Sequence, residues 1–312
     1  MIRLASLVLF LAASASAAEP VKVFILAGQS NMEGHAVVDL DGKDYNFGKG
    51  TLKTLAADPA KATLVNPLKN AKGEWETRSD VWIRYQREKQ KLLAGNLGLG
   101  YSVYADKHHF GPELAFGHVV GAHFDQQVLL VKTAWGGKSL AKDFRPPSAG
   151  GEVGTYYTKM IAEVRTALAN VKTDFPEYAD QGTELAGLVW YQGWNDGIDP
   201  RSVAEYETNL VHLIHDVRTE FKTPKLPVVV GELTGPWVKA PGDWAKLRAA
   251  QAAAAKRPEF AGTVAFVETR DFVRDPKDSP HPGHSHHEFG NAETILLVGD
   301  ALGKAITKLC PK

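Results

Sequence analysis

Five short apolar runs constrain the fold of this chain more than any other feature: residues 21–27, 128–132, 185–191, 226–230 and 263–267. Each is brief, rich in β-branched or aromatic residues, and nearly continuous rather than alternating. Parallel strands covered on both faces read that way. Amphipathic stretches of helical length lie between them, at 113–124, 156–171, 202–221 and 244–256, and another at 291–308 closes the chain. The first follows Pro112, and proline suits a first helical turn because its missing N–H would find no helical partner there anyway. Strands alternating with helices predict an α/β fold with a mostly parallel sheet. About a hundred residues separate the first run from the second, far more than one crossover helix needs. Residues 35–110 carry Gly, Pro, Asp and Asn punctuation, with Trp75, Trp82, Tyr85, Tyr101 and Tyr104 scattered among them. They read as an insertion over the carboxyl edge of the sheet, where α/β proteins bind ligands, with 81–93 expected to be helical.

The length of 312 residues suits one large domain, and a chain of that size buries enough surface to need no disulfide staples. Lys plus Arg number 36 and Asp plus Glu number 36, so the net charge is zero. That balance argues against nucleic-acid and anionic-membrane partners, which need clustered positive charge. Residues 1–17 read as a secretory signal peptide: Arg3 supplies the positive n-region, 4–13 the apolar h-region, and Ala15-Ser16-Ala17 the small residues for cleavage. The alternative is a disordered or buried N-terminal helix. The run is too short for a mature membrane anchor. A secreted or periplasmic protein, with one catalytic domain over 18–312, is the expectation. Cys310 is the single cysteine, which leaves no internal disulfide and no CxxC motif.

Chemistry concentrates at three strand ends. The first run ends in Gly28-Gln29-Ser30-Asn31-Met32, where a glycine permits a tight turn and Ser30 begins the next helix. Its hydroxyl faces the carboxyl edge, as a nucleophile or as a helix N-cap. The pattern is not the GxSxG elbow of the α/β-hydrolases. After the second run come Trp135-Gly136-Gly137-Lys138-Ser139, paired glycines that let a main-chain N–H approach a ligand as an oxyanion donor must. After the third come Trp190-Tyr191-Gln192-Gly193-Trp194-Asn195-Asp196, with neutral amides that donate hydrogen bonds without competing as bases. Each alone is a plain turn; three converging on one edge point to an enzyme.

These blocks, with Gly111-Pro112-Glu113-Leu114 ahead of a helix, resemble the signature of the sialate O-acetylesterase-like carbohydrate esterases, within the SGNH hydrolases. The resemblance runs from Val21 to about Lys308. It implies a flavodoxin-like three-layer α/β/α sandwich with a mostly parallel five-stranded sheet, a Ser-His-Asp mechanism, and acetylated carbohydrates such as xylan or sialic acid as substrates. It also implies oxyanion donors at the N–H of Ser30, the N–H of Gly137 and the side chain of Gln192. Trp194 departs from the closer family, which usually has Glu there. Gly193 to Asp196 instead fit the broader GxND pattern, whose Asn is the donor, so Gln192 and Asn195 compete for the role. Gln29, Asn31 and Trp194 are read as substrate-binding.

SGNH enzymes place the histidine in a DxxH motif just before the C-terminal helix. Asp278 and His281 satisfy that spacing, but His287 stands closer to the helix beginning near Asn291. His287 is the favoured general base, His281 the runner-up and Asp278 the orienting acid, with Glu288 or Asp271 as other sources of that acid. His281, His284, His286 and His287 also invite a metal reading, yet no HExxH motif accompanies them, and neither metal nor cofactor is assigned. His108 and His109 read as a loop feature near the cleft. Rival readings are a non-catalytic carbohydrate binder of the same fold, a flavodoxin-like cofactor binder, and an SGNH lipid esterase or thioesterase.

Overall fold

Along the chain run strands β1 (Val21–Gly28), β2 (Ala36–Val37), β3 (Arg78–Gln86), β4 (Leu92–Leu97), β5 (His109–Phe110), β6 (Val128–Ala134), β7 (Thr183–Tyr191), β8 (Val228–Gly231) and β9 (Val264–Val267). The α-helices are α1 (Ser30–Glu33), α2 (Leu52–Ala56), α3 (Ala62–Val65), α4 (Glu113–His123), α5 (Thr155–Asp174), α6 (Trp194–Gly197), α7 (Pro200–Glu220), α8 (Asp243–Ala255) and α9 (Ala292–Leu309). The computed structural model describes residues 19–178, 180–236 and 242–310, so the leader read at 1–17 lies outside the described residues.

The centre of the fold is β1, whose residues alternate between two cores. Val21, Val23, Ile25 and Ala27 pack with α5, α7 and α8, while Phe24 and Leu26 pack with α4 and α9. Burial on both faces is why the run is continuously apolar. All five expected strands are present and parallel, in the order β6-β1-β7-β8-β9. That is the flavodoxin-like order, with helices on both faces and a topological switch point between β1 and β7. The helix ends follow local chemistry. Asp199 caps α7 by accepting from the N–H groups of Arg201 and Ser202, with Pro200 in the first turn, and Asn291 caps α9 by accepting from Thr294.

The insertion departs from expectation. Residues 81–93 are not helical; they belong to β3, a turn and the start of β4. β3 lies parallel to β6 and β4 antiparallel at the edge, so the sheet has seven strands rather than five. The reason is a period of two: Val81 and Ile83 enter one core and Trp82 the other. A short apolar run holds too few residues for period alone to separate strand from helix. The two ends of the insertion are tied by the β2–β5 ribbon, which pairs Ala36 with Phe110 and Val37 with His109. Trp82 is buried and stacked on Phe175 at 3.4 Å, and Trp75 packs on the small core of Leu52, Leu68 and Ile295. Neither lines the cleft described next.

Candidate active site

Ser30 opens α1 directly off β1, at the switch point. Gly28 is required there by close approach, since a Cβ on it would stand 2.1 Å from the carbonyl oxygen of Tyr191. The Ser30 side chain reaches a cleft of about 410 Å³ lined by Gln29, Glu33, His35, Gly136, Gly137, Trp194, Asn195, Ile198, His286 and His287. A larger groove of about 680 Å³, between the insertion and helices α4 and α9, shares none of these residues.

The loop after β6 is fastened at both ends by buried carboxylates. Glu33 accepts from the Gly136 N–H and, at 3.0 Å, from the Tyr85 hydroxyl; burial pushes its carboxyl up, against those bonds and the Lys132 charge. Asp196 accepts from Leu140 N–H at 2.8 Å and Ala141 N–H at 2.9 Å, and burial raises its carboxyl to about 6 despite them. Between these anchors Gly137 is exposed at φ +71°, a left-handed conformation that favours glycine, and lines the cleft.

The two competing amides have different fates. Gln192 is fully buried, and its Nε2 donates to Asp196, the Lys138 carbonyl and Gln29, while its Oε1 accepts from Tyr206. It is spent on structure. Asn195 is half-buried and lines the cleft, and its Oδ1 accepts from Gln29 Nε2 at 3.1 Å. That bond uses only its acceptor, and its Nδ2 has no hydrogen-bond partner among the described residues. Gln29 itself is 1% exposed, with Oε1 accepting from Gly193 N–H and Asn195 N–H, so it organises the donors and is not free for substrate.

Asn31 departs in the same way from the substrate-binding role expected of it. It is 1% exposed, and its Nδ2 donates to the His286 carbonyl at 2.9 Å and to Glu288 Oε1 at 2.6 Å. It thus clamps the histidine loop (Ser285–Gly290) against α1, the helix that Ser30 opens. Tyr191 also donates to Glu288 Oε1, at 2.9 Å, and burial pushes that carboxyl up to about 7 despite both bonds. Of the two candidate bases, only His287 lines the cleft; His281 packs on Tyr45 and His284 outside it. Burial, and after it the neighbouring His286, His284 and His281, lower the His287 imidazole to about 3. Asp278 is exposed and outside the cleft, Asp271 likewise, and Glu288 is committed to Asn31 and Tyr191. The DxxH spacing therefore does not bring an orienting carboxylate to His287. Among the described residues no three His, Cys, Asp or Glu side chains converge as a metal site, and no helix is long and apolar enough to cross a membrane.

The family model for carbohydrate esterases of the sialic acid-specific acetylesterase type matches residues 20–294. The chain belongs to this family. A probable carbohydrate esterase of Arabidopsis thaliana is 26% identical over 215 residues, 67% of this chain and 68% of that protein. An X-ray structure of that Arabidopsis protein superposes with a TM-score of 0.59 at 18% identity, covering 92% of this chain and 98% of the other. A carbohydrate acetylesterase from Xanthomonas citri gives 0.55 at 16% identity, covering 92% of this chain and 56% of the other. At those identities the structural likeness speaks for the fold. Within this carbohydrate esterase, Glu33, His35, Asp196 and Glu288 are site residues that motif reading did not assign to their places. Glu33 and His35 directly follow the serine block, and that adjacency was the available signal.

Proposed function

We propose that this chain is a serine esterase that removes O-acetyl groups from carbohydrates, xylan-type polysaccharide or sialic acid, through an acetyl-serine intermediate. The observation that carries this reading is the single cleft shared by Ser30, His287, Gly137 and Asn195. In this mechanism neutral His287 takes the Ser30 proton as Oγ attacks the acetyl carbonyl carbon. The oxyanion is held by the N–H groups of Ser30 and Gly137 and by Asn195 Nδ2. The imidazolium then returns its proton to the departing sugar oxygen, leaving acetyl-Ser30. Water, deprotonated by the same imidazole, attacks that ester, and acetate leaves as Ser30 regains its proton. Trp194 packs on Trp244 at 4.6 Å and, with the exposed Ile198, offers an apolar wall to the face of a sugar ring. The leader-like composition of residues 1–17 supports export, with the reaction taking place outside the cytoplasm.

The test is acetate release from acetylated xylan and O-acetyl sialic acid by the chain lacking residues 1–17, with Ser30→Ala as control. Release by the native protein and none by the variant is the expected result. A folded protein that releases nothing from these or from a simple acetyl ester, or a variant as active as the native chain, would refute the proposal.

A further inference from the structure

A catalytic histidine is ordinarily fixed in its plane by a carboxylate behind it. Among the described residues, no carboxylate hydrogen-bonds the ring of His287. What holds that ring is another imidazole. His35 lies parallel to it, with centroids 3.6 Å apart and planes 10° from coincidence, while His286 packs at 4.1 Å and 55°.

His35 is itself anchored. It follows α1 after one residue, Gly34, whose φ of +93° and contact with Gly111 admit no side chain: a Cβ would stand 2.3 Å from the Gly111 Cα. The His35 Nδ1 hydrogen-bonds the Tyr104 hydroxyl at 3.1 Å, and the Tyr104 ring leans on His109 at 4.0 Å. His109 is in turn bonded to Asp106 at 2.8 Å. The Nε2 of His35 is buried, with no hydrogen-bond partner among the described residues.

We infer that His35 is the positioning residue of the general base: its ring, locked through Tyr104, sets the plane of the His287 imidazole where a carboxylate would otherwise do so. The inference rests on the esterase reading above. Around the stacked pair stand His286 from the histidine loop, His281 and His284 just before it, His109 from β5 and Lys132 from β6. Burial, and after it His287, His109, His286 and Lys132, hold His35 well below the usual imidazole range, so the stack carries no charge repulsion. A flat ring is the requirement, not a proton carrier.

That distinction gives the test. His35→Phe keeps the ring and drops both nitrogens, whereas His35→Ala opens the face of His287 to water. With an acetyl ester, H35A should lower kcat by about tenfold to a hundredfold, the range for a misplaced reacting group, with KM within about twofold. Its acid limb of kcat/KM should move to higher pH, because a hydrated His287 is more easily protonated. H35F should hold kcat within about threefold, losing no more than Tyr104→Phe, which breaks the same Nδ1 bond, and keep the native limb. Tyr104→Phe, at a half-exposed site that tolerates the change, should give a smaller loss than H35A. An H35A protein with native kcat and limb, or an H35F protein as impaired as H35A, overturns the inference. NMR titration of labelled histidine in the same proteins separates this from failure of the esterase reading. If the native chain hydrolyses nothing, that reading falls. The positioning role then stands only if His287 titrates at least one unit higher in H35A and unchanged in H35F.

Discussion

Glu288 is the most instructive residue to perturb, because its carboxyl is fully buried with hydrogen bonds but, among the described residues, no paired cation. Burial holds it at about 7 in the native protein, against about 4.3 in an unfolded chain. The native state therefore binds this proton more tightly than the unfolded state does. Stability is complete at low pH, declines as pH rises from about 4.5 to 7, and stays lowered above that. At about 1.4 kcal/mol per unit, ionising Glu288 costs roughly 4 kcal/mol. Glu288→Gln retains the Oε1 acceptor for Asn31 and Tyr191 and carries no charge at any pH. The variant should match the native chain within about 1 kcal/mol at pH 4.5, where Glu288 is protonated, and exceed it by roughly 3–4 kcal/mol at pH 8. Urea unfolding followed by tryptophan fluorescence at the two pH values measures this directly, since other titrating groups cancel between the two proteins. A stability difference that is the same at both pH values would refute the reasoning. So would a variant that is less stable at pH 8.

Asn195→Ala should lower kcat on an acetyl ester by about 10²–10³ with KM little changed, as loss of one oxyanion donor does. Gln192→Ala should appear first as a fall in urea midpoint, because it strips the donor from buried Asp196 and the acceptor from Tyr206. The buried Lys132 donates to Glu113, the Glu33 carbonyl and the Tyr101 carbonyl, all within 2.8 Å, which ties the end of α1 to the insertion. Lys132→Met should destabilise the protein by about 3–5 kcal/mol through the uncompensated Glu113 charge, and adding Glu113→Gln should recover part of it. If the double variant is no more stable than the single, the loss has another origin.

Much of the fold was legible because its strands are buried on both faces, so their composition alone marks them. The helix expected over 81–93 shows the limit of that signal: a short apolar run satisfies either period, and the neighbour at β6 decided in favour of a strand. Trp82 went to the core rather than to the cleft for a related reason. An aromatic side chain is equally useful to a core, and Phe175 stood ready to stack on it.

At the site, sequence determined which residue types arrive at the carboxyl edge, because each of Ser30, Gly137, Asn195 and His287 follows a strand or precedes a helix whose ends are marked by local chemistry. Tertiary structure decided how each is used. Gln192 and Asn195 are the same kind of donor three residues apart, and only the bonds to Asp196, Lys138 and Gln29 reveal that one is already spent. Asp278 has the right spacing to His281, but spacing holds no information about a loop in which Glu288 and Phe289 turn through left-handed conformations. That turn carries His287 into the cleft and lays its ring on His35, about 250 residues earlier in the chain. Hydrogen-bond commitment and ring contacts are properties of pairs, and distant pairs come together only when the sheet assembles.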